Sequence, residues 1–217
     1  GTNYHLCIAA QSGSGKSFLV NELISSCLSL GGRCWVIDVG RSYEKLCESY
    51  GGRFMQFGKD SSICLNPFEL VRSYGEEADI LTALLAAMAA PTEKLTDLQI
   101  ACLKRALSSL WDRYGRGITV DLVAETLKQD SDSRVRDIGR QLFPFTSEGE
   151  YGKYFTGHNT VAFESDLTVL ELEELKGRKH LQQVVLLMLI YQIQQSMYLG
   201  ERDRRKVVII DEAWDLL

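Results

Sequence analysis

The sequence predicts an α/β protein: a parallel sheet with crossover helices, into which an all-helical stretch is inserted. Three observations predict it. Apolar, β-branched runs alternate with helical repeats at the start of the chain and again near its end. A glycine-serine loop closing on Gly15-Lys16-Ser17 joins the first apolar run to the first helical repeat. Four β-branched residues, Val207 to Ile210, run directly into Asp211-Glu212.

In chain order, "YHLCIAA" reads as a buried strand. Helical spacing then places Val20, Leu23, Ile24, Cys27 and Leu28 on one face of a helix over 17–30, which Gly31-Gly32 terminates. "CWVIDV" is a second strand, and "SYEKLCESYGG" a short helix stopped by glycines. "RFMQFG" and "SSICLNPF" suggest two short strands with a turn between. After about residue 69 strand signals vanish, and helices are predicted over 76–89, 97–114, 120–129 and 134–142. Residues 144–160, "PFTSEGEYGKYFTGHNT", read as a turn-rich surface loop. The α/β pattern then resumes with "LTVLEL" as a strand, a long helix over 180–199, the polar turn "GERDRRK" and a buried strand "VVIID". This divides the chain into a first core part (1–69), a helical insertion (70–145) and a second core part (146–217).

Composition narrows the class. The 217 residues are 45% hydrophobic and 24% charged, as in ordinary globular domains. A chain of this length fills a core without disulfides. The six cysteines form no CxxC pair, and neither they nor the histidines show zinc spacing, which fits a reducing, cytoplasmic compartment. A net charge of −5 argues against coating nucleic acid through the overall field, while leaving room for a local basic patch. The longest apolar run, Val184 to Tyr191, is far short of the roughly 20 residues of a membrane span. The N-terminus lacks the charged region of a signal peptide. The chain closes on two leucines soon after a strongly apolar strand, which reads as a piece of a longer protein.

The loop carries the first chemical signal. "AAQSGSGKSF" matches the phosphate-loop pattern except that Ala10 stands at the first glycine position. Phosphate binding needs consecutive backbone N–H groups curled toward one point at the start of a helix, whose dipole also favours anions. Glycine is needed where a Cβ would block that curl, and Gly13 and Gly15 supply it. Lys16 reaches the β- and γ-phosphates, and Ser17 offers a hydroxyl to Mg²⁺. Gln11, Ser12, Ser14 and Phe18 complete the nucleotide-binding stretch. An ordinary serine-glycine turn is the competing reading, but the loop has a strand before it and a helix after it.

The second signal is "VVIIDEAW". The carboxyl end of a parallel strand opens onto the ligand crevice. There Asp211 faces the Mg²⁺ side of the loop, and Glu212 can hold the attacking water and accept its proton. Asp211 follows Ser17 by roughly 190 residues, more than one or two βα units of about 30 residues need; the insertion accounts for the excess. Weaker candidates remain. Asp38 and Arg41 lie at the tip of the second strand, where Arg41 serves either as a cation acting on a neighbouring subunit or as a solvated turn residue. Arg134, Arg136 and Arg140 alternate with Asp130, Asp132 and Asp137, as on a mixed surface. Arg202 to Lys206 reads equally as a phosphate-contacting cluster and as a polar turn. His5, His158 and His180 share no metal or catalytic spacing.

The segments "AAQSGSGKSF", "CWVIDVGRSYEKLCESYGG", "ICLNPFE" and "VVIIDEAWDLL", in this order, resemble the motor domain of the TraC-type ATPases of conjugative type IV secretion, in the HerA/FtsK branch of P-loop ATPases. The resemblance runs through nearly the whole chain. It implies a RecA-like P-loop NTPase core with a helical insertion, and ATP and Mg²⁺ as ligands. It makes Lys16 and Ser17 the phosphate and metal residues, Asp211 the metal-side acid and Glu212 the catalytic acid. It further implies a core strand and sensor residues after Leu217. The implied setting is a hexamer, cytoplasmic and peripheral to the bacterial inner membrane. Its partners are copies of itself and secretion-channel components, with DNA or a coupling ATPase engaged indirectly. Two other functions stay open: a translocase that pumps DNA itself, and a nucleotide-gated assembly module with little hydrolysis.

Overall fold

The computed structural model describes residues 5–9, 11, 14–58, 60–199 and 203–211. The chain divides into two compact units, the first formed by 1–56, 164–173 and 200–212, the second by 57–163, 174–199 and 213–217.

The first unit holds α1 (Lys16–Ser29), β1 (Arg33–Asp38), α2 (Glu44–Ser49), β2 (Arg53–Gln56), β3 (Leu167–Glu171) and β4 (Lys206–Ile210). The four strands form one sheet in the order β2-β3-β1-β4, every neighbouring pair parallel. Of the consecutive strands only β2 and β3 are sheet neighbours, and all connections are crossovers, as parallel pairing requires. The register aligns Asp38 of β1 with Glu171 of β3 and Ile37 with Ile210 of β4, and the Asp211 amide donates to the Ile37 carbonyl at 2.9 Å. Three acids, Asp38, Glu171 and Asp211, thus share one carboxyl edge.

One face of the sheet packs on α1 and α2 through Val20, Ile24, Cys27, Cys34, Val36, Tyr43, Cys47, Leu167 and Val169. The helix places Val20, Ile24 and Cys27 inward as expected, while Leu28 is half-buried and Leu23 exposed. The apolar face of α1 is narrower than its composition suggests. The turn from α1 into β1 needs glycine at position 32, where a Cβ would lie 2.3 Å from the Cys27 sulfur and 2.7 Å from the Cys27 carbonyl oxygen. Arg204 secures the same turn, its guanidinium reaching the Gly31 and Gly32 carbonyls and Asp166. Within the basic cluster, Arg204 therefore works as the pin of a polar turn.

The second unit contains α3 (Tyr74–Ala89), α4 (Asp97–Tyr114), α5 (Val120–Lys128), α6 (Ser133–Gln141) and α7 (Lys179–Leu199). Four of these are the helices predicted over 76–142. Three of their starts have a local cause: Thr96 and Gln99 form a capping box on α4, Thr119 caps α5 and Asp132 caps α6. The mixed-charge reading of α6 also holds, since Arg134 pairs with Asp132 and Arg140 with Asp137.

The structure departs from the sequence reading at four places. Residues 5–9 form no strand, and Leu6 and Cys7 are exposed; β-propensity makes a strand only where a ladder partner exists, and no described residue supplies one. "SSICLNPF" is irregular, although Cys64, Leu65 and Phe68 are buried. It is tied to residues 154–160 by single hydrogen bonds and turned at Asn66, whose side chain accepts from the Phe68 amide. β4 is half-exposed where a buried strand was expected, because it is an edge of the four-stranded sheet.

The fourth departure is the expected surface loop over 144–160. It is turn-rich, with helical turns at Phe143–Phe145 and Gly152–Tyr154, but Phe145, Tyr154 and Phe155 are buried. The Phe145 ring packs edge-on against Phe155 and His180. Turn residues signalled a loop; the aromatic residues between them made it core.

Candidate active site

The site is built at the carboxyl edge of the first unit. Gly15 begins α1 with φ 90°, a left-handed conformation that glycine adopts without strain. Ahead of it, the Ser14 amide and hydroxyl both donate to the Gln11 carbonyl, at 3.2 and 2.6 Å. The first turn of α1 carries no acidic side chain and no side-chain cap. Its leading N–H groups therefore face outward with the helix dipole unopposed, which favours an anion.

From that turn Lys16 reaches across the fold. Its Nζ lies 2.6 Å from Asp211 Oδ1. Asp211 is 7% exposed and the lysine side chain 24%, so the pair is shielded from water. The other Asp211 oxygen, Oδ2, accepts the Tyr43 hydroxyl at 2.6 Å. Tyr43 is fully buried, with the Ser17 side chain beside its hydroxyl. Burial and the neighbouring Asp211 carboxylate push its phenol well above the ordinary tyrosine range, so it stays protonated and donates. Lys16, Ser17 and Asp211, three residues singled out in the sequence, thus meet, and Tyr43 joins them.

The turn that follows β1 is held by the other two acids. Glu171 is buried and accepts the amides of Gly40, Arg41 and Glu173 at 3.2, 2.7 and 2.7 Å. Asp38 is also buried, and its Oδ2 accepts the Ser42 amide at 2.6 Å. Among the described residues its Oδ1 has no hydrogen-bond partner. Burial, then the charge of Glu171, lift the Asp38 carboxyl to a pKa of about 7. Arg41 takes a left-handed conformation at φ 57°, uncommon for a residue with a side chain, and its Nε lies 3.6 Å from Glu173.

Among the other sequence candidates, Gln11, Ser14 and Phe18 are exposed. Ser12, Gly13 and Glu212 lie outside the described residues. The described residues contain no ready-made group of three metal-binding side chains. Still, a serine hydroxyl and a carboxylate set beside one phenol are the hard oxygen donors that Mg²⁺ takes, one or two at a time, alongside phosphate oxygens. The residues fit that ion. Sequence reasoning missed Tyr43 and Glu171; the one available signal was the unbroken stretch from Asp38 to Tyr43, read for resemblance but not for the phenol.

A family model, the TraG P-loop domain, matches residues 1–119. The chain belongs to the TraG P-loop domain family. Over 228 aligned residues it is 31% identical to protein TraC of Escherichia coli (strain K12), a match covering all of this chain and 26% of TraC. The solved structure of VirB4 of Thermoanaerobacter pseudethanolicus superposes with a TM-score of 0.80 at 22% identity, over 95% of this chain and 60% of that one. The bacterial conjugative coupling protein TrwBdeltaN70, in a trigonal form in complex with sulphate, gives 0.60 at 16% identity over 94% and 55%. The chain spans about a quarter of TraC and less than two thirds of either solved structure. The resemblance to the TraC-type ATPases holds, and the fold is the RecA-like P-loop core that it implied. No described helix of this member is long and apolar enough to cross a membrane.

Proposed function

We propose that this chain is the nucleotide-binding core of a Mg²⁺-dependent ATPase that energises a conjugative type IV secretion or pilus-assembly apparatus. One observation carries the reading: Lys16 and Asp211, 195 residues apart, meet at 2.6 Å at the mouth of an uncapped helix. In this reading the amides from Gln11 through Phe18 (Gln11, Ser12, Gly13, Ser14, Gly15, Lys16, Ser17 and Phe18) cradle the phosphates of ATP. Ser17 and Asp211 hold Mg²⁺, which when bound supplies charge neutralisation to the β- and γ-phosphate oxygens.

Lys16 has a second partner waiting. With no triphosphate present its ammonium neutralises Asp211; with one present the larger negative charge draws it onto the β- and γ-phosphates. Glu212 orients the attacking water and takes its proton. The preference for ATP over GTP, the hexameric assembly, the inner-membrane apparatus and any indirect contact with DNA or a coupling ATPase rest on the likeness to TraC.

The test is ATP titration of the full-length protein carrying Lys16→Ala. Affinity is expected to fall roughly tenfold or more, the worth of a charge-assisted contact. Unchanged affinity removes the loop from nucleotide binding.

A further inference from the structure

The Tyr43 hydroxyl stands at both of the side chains that the proposed function gives to Mg²⁺. It donates to Asp211 Oδ2 at 2.6 Å, and the Ser17 side chain lies beside it. We propose that Tyr43 is a positioning residue that fixes the Asp211 carboxylate, next to Ser17, as a preformed metal ligand. This rests on the reading of Ser17 and Asp211 as the metal-binding residues.

The placement is built in from both ends of the side chain. The ring lies in the core beside Val20, Ile24, Val36 and Cys47 and is fully buried, so only the hydroxyl emerges at the site. Its backbone stands at the start of α2, directly after a turn whose three consecutive amides are all tied down: Gly40 and Arg41 to Glu171, Ser42 to Asp38. Two carboxylates of the sheet edge therefore aim the phenol at the third. A surface tyrosine that met Asp211 by chance would have neither support.

The arrangement also answers a problem that the Lys16–Asp211 pair creates. When Lys16 moves to a triphosphate, Asp211 loses the cation that held Oδ1. The phenol keeps its grip on Oδ2, so the carboxylate stays in place and aimed. Outer partners of this kind set the geometry of the ligand they touch, and losing one weakens metal affinity or activity by roughly 10- to 100-fold.

Tyr43→Phe in the full-length protein isolates the hydroxyl, because the ring still fills its place in the core. Two readings are taken: Mn²⁺ affinity of the ATP complex by electron paramagnetic resonance, and ATP affinity without metal. Metal affinity is expected to fall roughly 10- to 100-fold while metal-free ATP affinity stays at the native value. Native Mn²⁺ affinity in a folded Tyr43→Phe protein overturns the proposal. If that variant does not fold, 3-fluorotyrosine at position 43, with its more acidic hydroxyl, is expected to shift the Mn²⁺ affinity, and an unshifted value overturns the proposal. Lys16→Ala separates the two ideas. Native ATP affinity there means that the nucleotide reading itself has failed. Lost affinity there, with native Mn²⁺ binding in Tyr43→Phe, sinks only the role of Tyr43.

Discussion

Each unit of this protein buries a carboxylate, Glu77 in the helical unit and Asp38 at the sheet edge, and the two are treated in opposite ways. In the helical unit, Glu77 of α3 accepts from the Arg72 and Ser73 amides at 2.8 and 2.9 Å, from Gln195 at 2.8 Å and from the Tyr191 hydroxyl. Burial alone would raise its pKa, but the amide, phenol and arginine partners outweigh it and hold the carboxyl below the usual range. At the sheet edge the comparable buried acid, Asp38, keeps one oxygen without a partner among the described residues, and its pKa rises to about 7. A fully satisfied buried charge fastens one helix to another. A half-satisfied one, placed beside two further acids, marks a position kept for something other than stability.

The sharpest way to break that contrast is Glu77→Ala. It leaves four donors without their acceptor, and a loss of about 3–5 kcal/mol is expected in urea denaturation. A loss below about 1 kcal/mol would mean that the network holds nothing together. In the native protein this contribution is complete above the ordinary carboxylate pKa and disappears as pH falls through the depressed folded value.

Asp38 has the opposite sign. Its folded pKa is raised, so its contribution is complete below pH 4 and is lost as pH climbs toward and through about 7. The full swing amounts to up to about 4 kcal/mol at about 1.4 kcal/mol per pKa unit. Asp38→Asn removes the ionisation and is expected to flatten the decline in melting temperature between pH 4 and pH 8. A slope identical to that of the native protein would assign the decline to another group.

Arg41→Gly is the smallest change. Glycine takes the left-handed conformation freely, and the ion pair with Glu173 is half-exposed on both sides and adds little. A net gain of about 0.5–1 kcal/mol is expected from equilibrium denaturation. A loss instead would show that the guanidinium holds the turn that leads to Tyr43.

How much of this was legible depended on whether the cause was local. The four helices of the second unit could be placed to within a few residues because caps and apolar spacing act over one turn. The pairing of Lys16 with Asp211 was expected from topology, a loop after one strand and an acid after another meeting at one carboxyl edge, and it stands although residues 5–9 form no strand. Tyr43 was not, since six letters of sequence do not say where a phenol on a helix N-terminus ends. Neither was the burial of residues 144–160, where turn formers dominate locally and the aromatic residues find their partners only after folding. The failed strand over residues 5–9 belongs with them, because a ladder partner is a property of the whole sheet.

The outer margin of β4 has a practical consequence. Among the described residues no strand lies beyond it, and Val208 and Ile210 are each 37% exposed. Between Lys206 and Asp211 the margin offers a row of amides and carbonyls that no described strand pairs, the usual template for unwanted cross-chain pairing. A solution of this segment by itself will therefore tend to clump as its concentration rises, and a lysine at position 208 is the simplest guard against it.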